Sequence, residues 1–238
     1  MCVRQNFVQP NCNTCSTRGF SLFCDLLDKE IEQINVNKFC NRYKKGQIIF
    51  SEGNHPNGLY CINYGKIKLY KIGFDGKEQI VRLAKDGDLV GYRALISGER
   101  YTATASALDD SVLCSIPRDT FFQLLNGNHS FSAKMIKLLT VDLRSAEDKM
   151  VSMANKPVKE RLAEGILLLK EYFGTDKDGA TIKSILTREE IANLVGTATE
   201  TAIRLLSELK QEKIIELNGK SIKILNLKNL IHTANLID

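Results

Sequence analysis

The 238-residue chain is too long for one small module, and its length indicates two domains joined by a connector. Hydrophobic residues make up 43% and charged residues 26%, a balance that excludes wholesale disorder because a core can form. The formal net charge of +5 is compatible with an anionic partner such as nucleic acid, but it does not select one.

The N-terminal stretch MCVRQNFVQP lacks the apolar segment of a secretory signal, and apolar runs such as GILLLK are far shorter than a membrane span. We therefore expect a cytoplasmic protein without a membrane partner, and no lipoprotein role for Cys2. Thiols stay reduced in that compartment, so the seven cysteines do not imply bridges. The stretch CNTCSTRGFSLFC could hold metal ligands, disulfide halves or unrelated thiols, and disulfides are the least favoured of the three.

Residues from about 40 to 118 show the pattern of strands and turns. Asp75-Gly76 predicts a hairpin turn, because both residues tolerate a positive φ. Many short strands at regular spacing favour a β-sandwich or a rolled barrel. The predicted strand segments are GQIIF, GLYCI, GKIKLY, EQIVRLA and SVLCSI.

A long helix is predicted from about Ser130 to Ala154. Its apolar positions are spaced alternately three and four residues apart, which is a heptad seam, and charged residues lie between them. A helix packed on its own domain usually has a wider apolar face, so the narrow stripe favours a parallel homodimer. The predicted seam residues are Ile136, Leu139, Leu143, Ala146, Met150 and Met153.

A second helix is predicted to start at Pro157 and to stop at Gly174. Proline suits the first turn of a helix, and glycine suits the position after its end. The domain boundary therefore falls near residues 155–156.

The C-terminal third contains a helix-turn-helix pattern. Thr187 with Glu190 forms a capping box before one short helix, Gly196 ends that helix, and Thr197 with Glu200 predicts a second capping box. The following segment, IIEL-NG-KSIKIL, predicts a two-residue hairpin on Asn-Gly that would form a wing.

The outer face of the second short helix is predicted to enter the major groove of DNA. Arg204 could contact guanine, Glu200 could accept from cytosine and Ile203 could touch a thymine methyl group. Each also has a structural alternative, respectively an ion pair, a cap and a partly buried position. Residues 155–238 carry 13 Lys and Arg against 12 Asp and Glu, so phosphate contacts depend on placement. The phosphate candidates are Thr187, Arg188, Lys210 and Lys220.

This arrangement resembles the Crp/Fnr family of bacterial transcription regulators. The segments that match are YKKGQIIFSEG, GLYCINYGKIKLYK, DGDLVGYRALISGERYTATASALDDSVLCSIP and LTREEIANLVGTATETAIRLLSELK. The resemblance implies an α+β fold with three parts. These are a cysteine-containing segment with a cyclic-nucleotide-binding-like β-roll (jelly roll) over 1–129, a dimerisation helix over 130–154 and a winged helix-turn-helix over 155–238.

The resemblance also implies a homodimer on pseudopalindromic double-stranded DNA, with RNA polymerase as a further partner. The sequence ETAIR matches the family's recognition helix, although Thr199 and Ile203 differ from residues common in the family, so the half-site sequence does not transfer. The predicted DNA-binding residues are Thr187, Arg188, Thr199, Glu200, Thr201, Ile203, Arg204 and Ser207.

Two branches of the family suggest different signals. The cyclic-nucleotide branch holds its ligand with a Glu, an Arg and a Ser; here Arg100 is retained, but Tyr92 and Tyr101 replace the other two. A pocket that loses two polar ligands should bind a cyclic nucleotide poorly, and the alternative role for Arg100 is a structural ion pair.

The Fnr branch holds a [4Fe–4S] cluster with four cysteines, and Cys12, Cys15, Cys24 and Cys114 resemble that set. The eight residues between Cys15 and Cys24 exceed the usual family spacing, so Cys24 could instead be a small buried hydrophobe. Zinc, a thiol switch and no metal at all are the open alternatives.

Enzyme chemistry is not predicted. The three histidines are scattered, and the sequence has no phosphate-binding loop and no nucleophile with an adjacent base. A metal-dependent electron carrier is not favoured, because the sequence has no His-rich metal motif. An interaction protein that uses only the coiled coil would leave the recognition helix without a purpose. The sequence therefore predicts a DNA-binding regulator that responds to oxygen or redox state.

Overall fold

The structure, a computed structural model, describes residues 9–183 and 186–236, so Cys2 lies outside the described residues. Contacts between residues divide it into two compact units. One unit runs up to Ile67 and includes Ala84–Thr140, and the other contains Lys68–Leu83 and the chain from Val141 onward. The three-part division at 129/130 and 154/155 stays a prediction.

Helices and short strands are interspersed along the described residues, which confirms the predicted α+β class. The strands are β1 (Phe39–Tyr43), β2 (Ile48–Phe50), β3 (Gly58–Tyr64), β4 (Ile67–Ile72), β5 (Glu78–Ala84), β6 (Leu89–Val90), β7 (Thr104–Ala107), β8 (Ser111–Pro117), β9 (Thr181–Ile182), β10 (Ile215–Asn218) and β11 (Ser221–Ile224). The α-helices are α1 (Asp28–Asn37), α2 (Tyr92–Ser97), α3 (Arg118–Gly127), α4 (His129–Asn155), α5 (Val158–Phe173), α6 (Arg188–Val195), α7 (Thr199–Gln211) and α8 (Leu227–Thr233).

The first unit is built on an antiparallel sheet in the order β1-β8-β3-β6, and β2 pairs with β7. Each of the five predicted strand segments overlaps one strand, and these strands are β2, β3, β4, β5 and β8. The predicted segments do not include β1, whose sequence Phe-Cys-Asn-Arg-Tyr contains two polar residues at its centre. They also do not include β6, which has only two residues, or β7, whose Thr-Ala-Ser-Ala sequence has no large apolar side chain. These strands depend on their partners for their conformation.

Helices cover one side of this unit around a core of aromatic and aliphatic side chains. Phe121 of α3 and Phe131 of α4 are fully buried, with their ring centroids 6.2 Å apart. Burying such a side chain stabilises the fold by about 1.5–3 kcal/mol. The core also includes Ile31 of α1, Leu59 of β3 and Tyr92 of α2. It therefore joins the segment before β1 to the sheet.

The second unit combines a β-hairpin with the C-terminal elements. Strands β4 and β5 are paired, and Gly76 in the turn has a φ of +78°, which confirms the turn predicted at Asp75-Gly76. Helix α5 begins after Pro157 and ends at Gly174, as predicted. Its buried stripe includes Leu162 and Ile166.

The helix-turn-helix consists of α6 and α7. Thr187 and Glu190 form the predicted capping box, and Gly196 has a φ of +69°. The second predicted capping box is wrong: α7 begins at Thr199 with Ala198 as its N-cap, so Thr197 lies outside the helix. Glu200 is then the second residue of the helix, whereas a capping box needs its acid at the third.

The wing is a three-stranded sheet in the order β10-β11-β9. Asn218 pairs with Ser221, so the two-residue loop is Gly219-Lys220, and its placement at Asn218-Gly219 is wrong by one residue. Strand β9 was not predicted, because it has only two residues and its partner lies about 40 residues further along the chain.

Candidate nucleic-acid interface and cysteine-lined cavity

Helix α7 has one buried and one exposed face. Its exposed face carries Glu200, Ile203, Arg204 and Ser207, and Ile203 is 47% exposed although it is apolar. Thr199 and Thr201 are half-buried at the beginning of the helix. The inner face consists of Ala202, Leu205, Leu206 and Leu209, which are all buried.

Arg204 and Ser207 already have partners within the helix. The guanidinium of Arg204 pairs with the carboxylate of Glu208, four residues later, and both side chains lie at the surface. The Ser207 hydroxyl donates to the carbonyl of Ile203 at 2.9 Å. A surface ion pair of this type contributes only about 0.3–0.5 kcal/mol, so Arg204 can exchange it for a base at little cost.

Thr187 and Arg188 are half-buried and hold the motif together. The backbone N–H of Glu190 donates to the Thr187 hydroxyl oxygen at 3.1 Å. Arg188 Nη2 donates to the carbonyl of Gly219 in the wing loop at 2.7 Å, and burial lowers the pKa of this guanidinium. Lys210 and Lys220, in contrast, are exposed. Arg188 therefore links α6 to the wing, while the two lysines are free to approach phosphate.

The β4–β5 hairpin contacts α6, and the sequence alone does not predict this contact. Gln79 Nε2 donates to the carbonyl of Asn193 at 2.7 Å, and Lys68 lies 3.4 Å from the Glu190 carboxylate. The Lys68 side chain also pairs with Glu78. The contacts with Asn193 and Glu190 join residues more than 100 positions apart, so local pattern could not predict them.

The predicted seam of α4 lies mostly at the surface. Ile136, Leu143 and Met150 are 66%, 61% and 66% exposed, Ala146 is exposed and Leu139 is half-buried. Met153 is 37% exposed, and a Cβ added to Gly196 would come within 2.5 Å of its Cε. Met153 therefore packs partly on the helix-turn-helix of its own chain.

The region that resembles a cyclic-nucleotide site is filled by aromatic rings. Tyr92 is fully buried, and Tyr101 stacks on Phe50 with a centroid distance of 4.0 Å. The Tyr101 hydroxyl donates to the Gly58 carbonyl at 3.4 Å, and burial raises its pKa. Arg100 donates to the Gly53 carbonyl at 2.8 Å, so its structural partner is a backbone carbonyl and not the carboxylate of an ion pair. Weak cyclic-nucleotide binding stays a prediction.

Four cysteines line one cavity in the first unit. The cavity encloses about 460 Å³, part of it open to solvent. Its walls come from the turn at Cys12–Thr14, from α1 and from the sheet strands β3 and β8. The four cysteines are Cys12, Cys15, Cys61 and Cys114.

Hydrogen bonds fix the N-terminal turn against the cavity. The Cys12 N–H donates to Asn35 Oδ1 at 3.1 Å, and Asn63 Nδ2 donates to the Cys15 sulfur at 3.2 Å. Burial raises the pKa of the Cys12 thiol, and the ammonium of the buried Lys38 opposes that rise. Burial also raises the pKa of the Cys61 thiol.

The four cysteines predicted as ligands are not all together. Cys12, Cys15 and Cys114 line the cavity, whereas the Cys24 sulfur accepts from Lys134 Nζ at 3.3 Å and does not line it. Cys61 is not among the cysteines predicted as ligands. Its only signal is its position in GLYCI, a strand segment whose partners the sequence does not identify.

Cys114 forms a disulfide bond with Cys40, which the sequence did not favour. The two residues lie opposite each other in β1 and β8, and Cys61 lies opposite Cys114 on the other side, in β3. Among the described residues, no three His, Cys, Asp or Glu side chains form a ready metal site. Cys114 is thus bonded to Cys40 and also lines the cavity.

Comparisons with known proteins agree with this architecture. Residues 40–128 match the cyclic nucleotide-binding domain and residues 160–233 match the Crp-like helix-turn-helix domain. Within the described residues, none of the helices combines the length and apolar character that crossing a membrane requires.

Curated relatives cover nearly the whole chain. The fumarate and nitrate reduction regulatory protein of Yersinia pestis is 31% identical over 226 residues, which span 94% of this chain and 90% of that protein. The anaerobic regulatory protein of Haemophilus influenzae is 30% identical over 223 residues, covering 93% and 86%. The structure of FixK2 from Bradyrhizobium japonicum superposes with a TM-score of 0.76 at 24% identity, covering 84% of this chain and 99% of that one. The chain therefore belongs to the Crp/Fnr family and is a DNA-binding transcription regulator rather than an enzyme.

Proposed function

We propose that this regulator responds to oxygen or redox state through a cysteine-ligated iron–sulfur cluster and binds pseudopalindromic DNA as a cytoplasmic homodimer. The names of its relatives refer to anaerobic regulation and to the regulation of fumarate and nitrate reduction, which supports an oxygen-linked signal. The observation that carries the proposal is the gathering of Cys12, Cys15 and Cys114 around one cavity.

The DNA-binding half of the proposal rests on the exposed face of α7. Glu200 and Arg204 are available for base edges, and Thr199, Thr201, Ile203 and Ser207 surround them. Thr187 and Arg188 would contact phosphate only by exchanging their present partners. RNA polymerase is the proposed further partner of the DNA-bound dimer.

Dimer formation is supported by the exposed seam of α4. Apolar side chains such as Ile136, Leu143 and Met150 are costly to leave in water, and a second copy of the same helix would bury them. The two recognition helices would then be held at a fixed spacing, which a pseudopalindrome requires.

The cysteines that line the cavity can bind an iron–sulfur cluster through their sulfur atoms. Thiolates are its usual protein ligands, and the predicted set is Cys12, Cys15, Cys24 and Cys114. Such a cluster supplies sensitivity to oxygen when it is bound. Lys38 and Arg18 also line the cavity, and their positive charges would offset the negative charge of the thiolates. Cys114 must be released from Cys40 first, because a disulfide sulfur is not a thiolate.

The test is anaerobic purification followed by iron, acid-labile sulfide and DNA-binding measurements. We expect a coloured protein whose visible absorption bleaches in air, with a parallel loss of binding to a selected DNA site. Colourless, iron-free protein from strictly anaerobic cells would overturn the cluster proposal.

A thiol switch without a cluster is the second candidate, and the Cys40–Cys114 disulfide favours it. Reduction by a dithiol would transfer two electrons and two protons to this bond, giving two thiols and an oxidised reductant. We expect oxidised protein to have two fewer alkylatable thiols than reduced protein, and Cys40→Ser to abolish that difference. DNA affinity that is equal in oxidised and reduced protein would exclude the switch.

A further inference from the structure

We propose that Cys61, rather than Cys24, supplies the fourth thiolate of a site formed with Cys12, Cys15 and Cys114. The inference rests on the proposed function, namely that the chain binds a cysteine-ligated cluster. It changes the ligand set that the sequence predicts, and the central sheet then supplies two of the four ligands, Cys61 and Cys114, instead of one.

The sheet register brings two of these cysteines together. Cys61 in β3 lies directly opposite Cys114 in β8. Side chains opposite each other in antiparallel strands point to the same face, with Cβ atoms about 4.5–5.5 Å apart. Both residues line the cavity, so β3 and β8 present a pair of sulfurs to it.

The N-terminal turn meets this pair of strands. Asn63, two residues after Cys61 in β3, donates to the Cys15 sulfur at 3.2 Å and lines the same cavity. Cys12 and Cys61 both pack against the same hydrophobic core as partly buried side chains. The C-x2-C pair is therefore fixed beside Cys61, while the four thiols still have to be drawn together by a metal.

Cys24 faces a different environment. Its sulfur accepts from Lys134 Nζ at 3.3 Å, beside the ion pair of Lys134 with Asp25. Ser21 and Phe23 of this segment are buried and line the cavity, but Cys24 does not. Bringing Cys24 into the site would require its side chain to leave Lys134 and turn toward the cavity, whereas Cys61 already lies on the wall.

Cys114 can serve the site only as a free thiolate. A dithiol reductant supplies the two electrons and two protons that convert the Cys40–Cys114 disulfide into two thiols, and its own two thiols become a disulfide. The proton of Cys114 is then lost to solvent when the sulfur binds metal. Cys40 remains as the bystander thiol on the far side of Cys114 from Cys61.

The experiment compares anaerobically purified, dithiol-reduced full-length protein as wild type, Cys61→Ser, Cys24→Ser and Cys12→Ser. Iron, acid-labile sulfide and visible absorption are measured per chain, and circular dichroism checks the fold. We expect Cys61→Ser and Cys12→Ser to lose most of the iron, and Cys24→Ser to keep the wild-type content. Full iron in Cys61→Ser together with loss in Cys24→Ser overturns the assignment, as does full iron in both.

An iron-free wild type has a different meaning, since it rejects the proposed cluster itself and with it every ligand assignment. Cys61→Ala serves as a second variant, because it adds no polar group to the packed wall. Alkylation of wild-type protein before and after iron chelation requires no substitution. Protection of Cys61 that is lost with the iron supports the inference, and iron-dependent protection of Cys24 but not Cys61 overturns it.

Discussion

Arg204 illustrates how a single side chain can have a structural and a functional role. In the free chain its guanidinium pairs with the Glu208 carboxylate at the surface. The same side chain lies on the exposed face of α7 together with Glu200. Because the surface pair is weak, a guanine edge that accepts two hydrogen bonds would compete successfully.

Arg204→Ala should therefore weaken binding to the preferred site by about 1–3 kcal/mol and relax the base preference at one position of each half-site. Selection from a random DNA pool, followed by fluorescence anisotropy on the selected sites, measures both effects. Lys210→Ala is the matched control, since an exposed lysine near phosphate should weaken all sequences equally. A uniform loss in Arg204→Ala would assign the arginine to the backbone instead.

At the scale of elements, the two threonines before α6 and α7 differ although they occur in the same sequence pattern. Thr187 accepts from the N–H of Glu190, whereas Thr197 lies one residue before the Ala198 N-cap. The difference arises because the tight turn at Gly196 delays the start of α7.

Thr187→Ala should lower the free energy of unfolding by about 1 kcal/mol, because a helix N–H loses its partner. Thr197→Ala should change it by only a few tenths of a kcal/mol, within the range of surface substitutions. Chemical denaturation of both variants measures the difference. Equal losses would mean that Thr197 caps α7 after all.

Helix α4 contains a lysine whose environment makes stability depend on pH. Lys149 Nζ donates to the Ile80 carbonyl at 2.6 Å, and burial lowers its pKa from 10.5 to about 8. Between these values the folded state has lost the proton while the unfolded state retains it. The unfolded state then binds more protons, so stability rises with pH in this window.

The free energy of unfolding should therefore increase by about 1–3 kcal/mol between pH 8 and pH 10.5, and this increase should disappear in Lys149→Met. Lys137→Met, at an exposed position of the same helix, is the control and should keep the wild-type slope. Urea denaturation across the pH series provides the measurement. A wild-type curve that falls over this window would contradict the burial of Lys149.

At the scale of the whole molecule, the proposed function depends on a second copy of the chain. The seam of α4 is apolar and mostly exposed, and one recognition helix reads only half of a pseudopalindrome. Linking two half-site contacts raises the overall affinity without any new contact to a base.

Leu143→Asp should convert the dimer into a monomer, because it places a charge at the centre of the seam. DNA affinity should then fall about 100-fold or more. Val141→Asp is the matched control, as Val141 is also exposed, at 53%, but lies off the seam. Sedimentation velocity and anisotropy report the two effects. A Leu143→Asp protein that remains dimeric would place the interface elsewhere.

Much of the fold follows from local pattern. The bounds of α4 and α5, the buried stripe of α7 and the strand segments of the first unit are predictable, since they depend on periodicity and on glycine or proline at the ends. The short strands β6, β7 and β9 are not, because pairing rather than propensity stabilises them. The exposed side chains of the helix-turn-helix are predictable for the same reason, because the helical period assigns each residue to a buried or an exposed face.

The cysteines separate the two kinds of information most clearly. The sequence by itself determined that Cys12 and Cys15 share a turn and that the chain belongs with DNA-binding regulators, because both features are written in neighbouring residues. Only the tertiary structure decided that Cys61 and Cys40 flank Cys114 and that Cys24 lies apart. Packing sets the cross-strand register between residues that are 53 and 74 positions apart, and spacing along the chain contains no record of it.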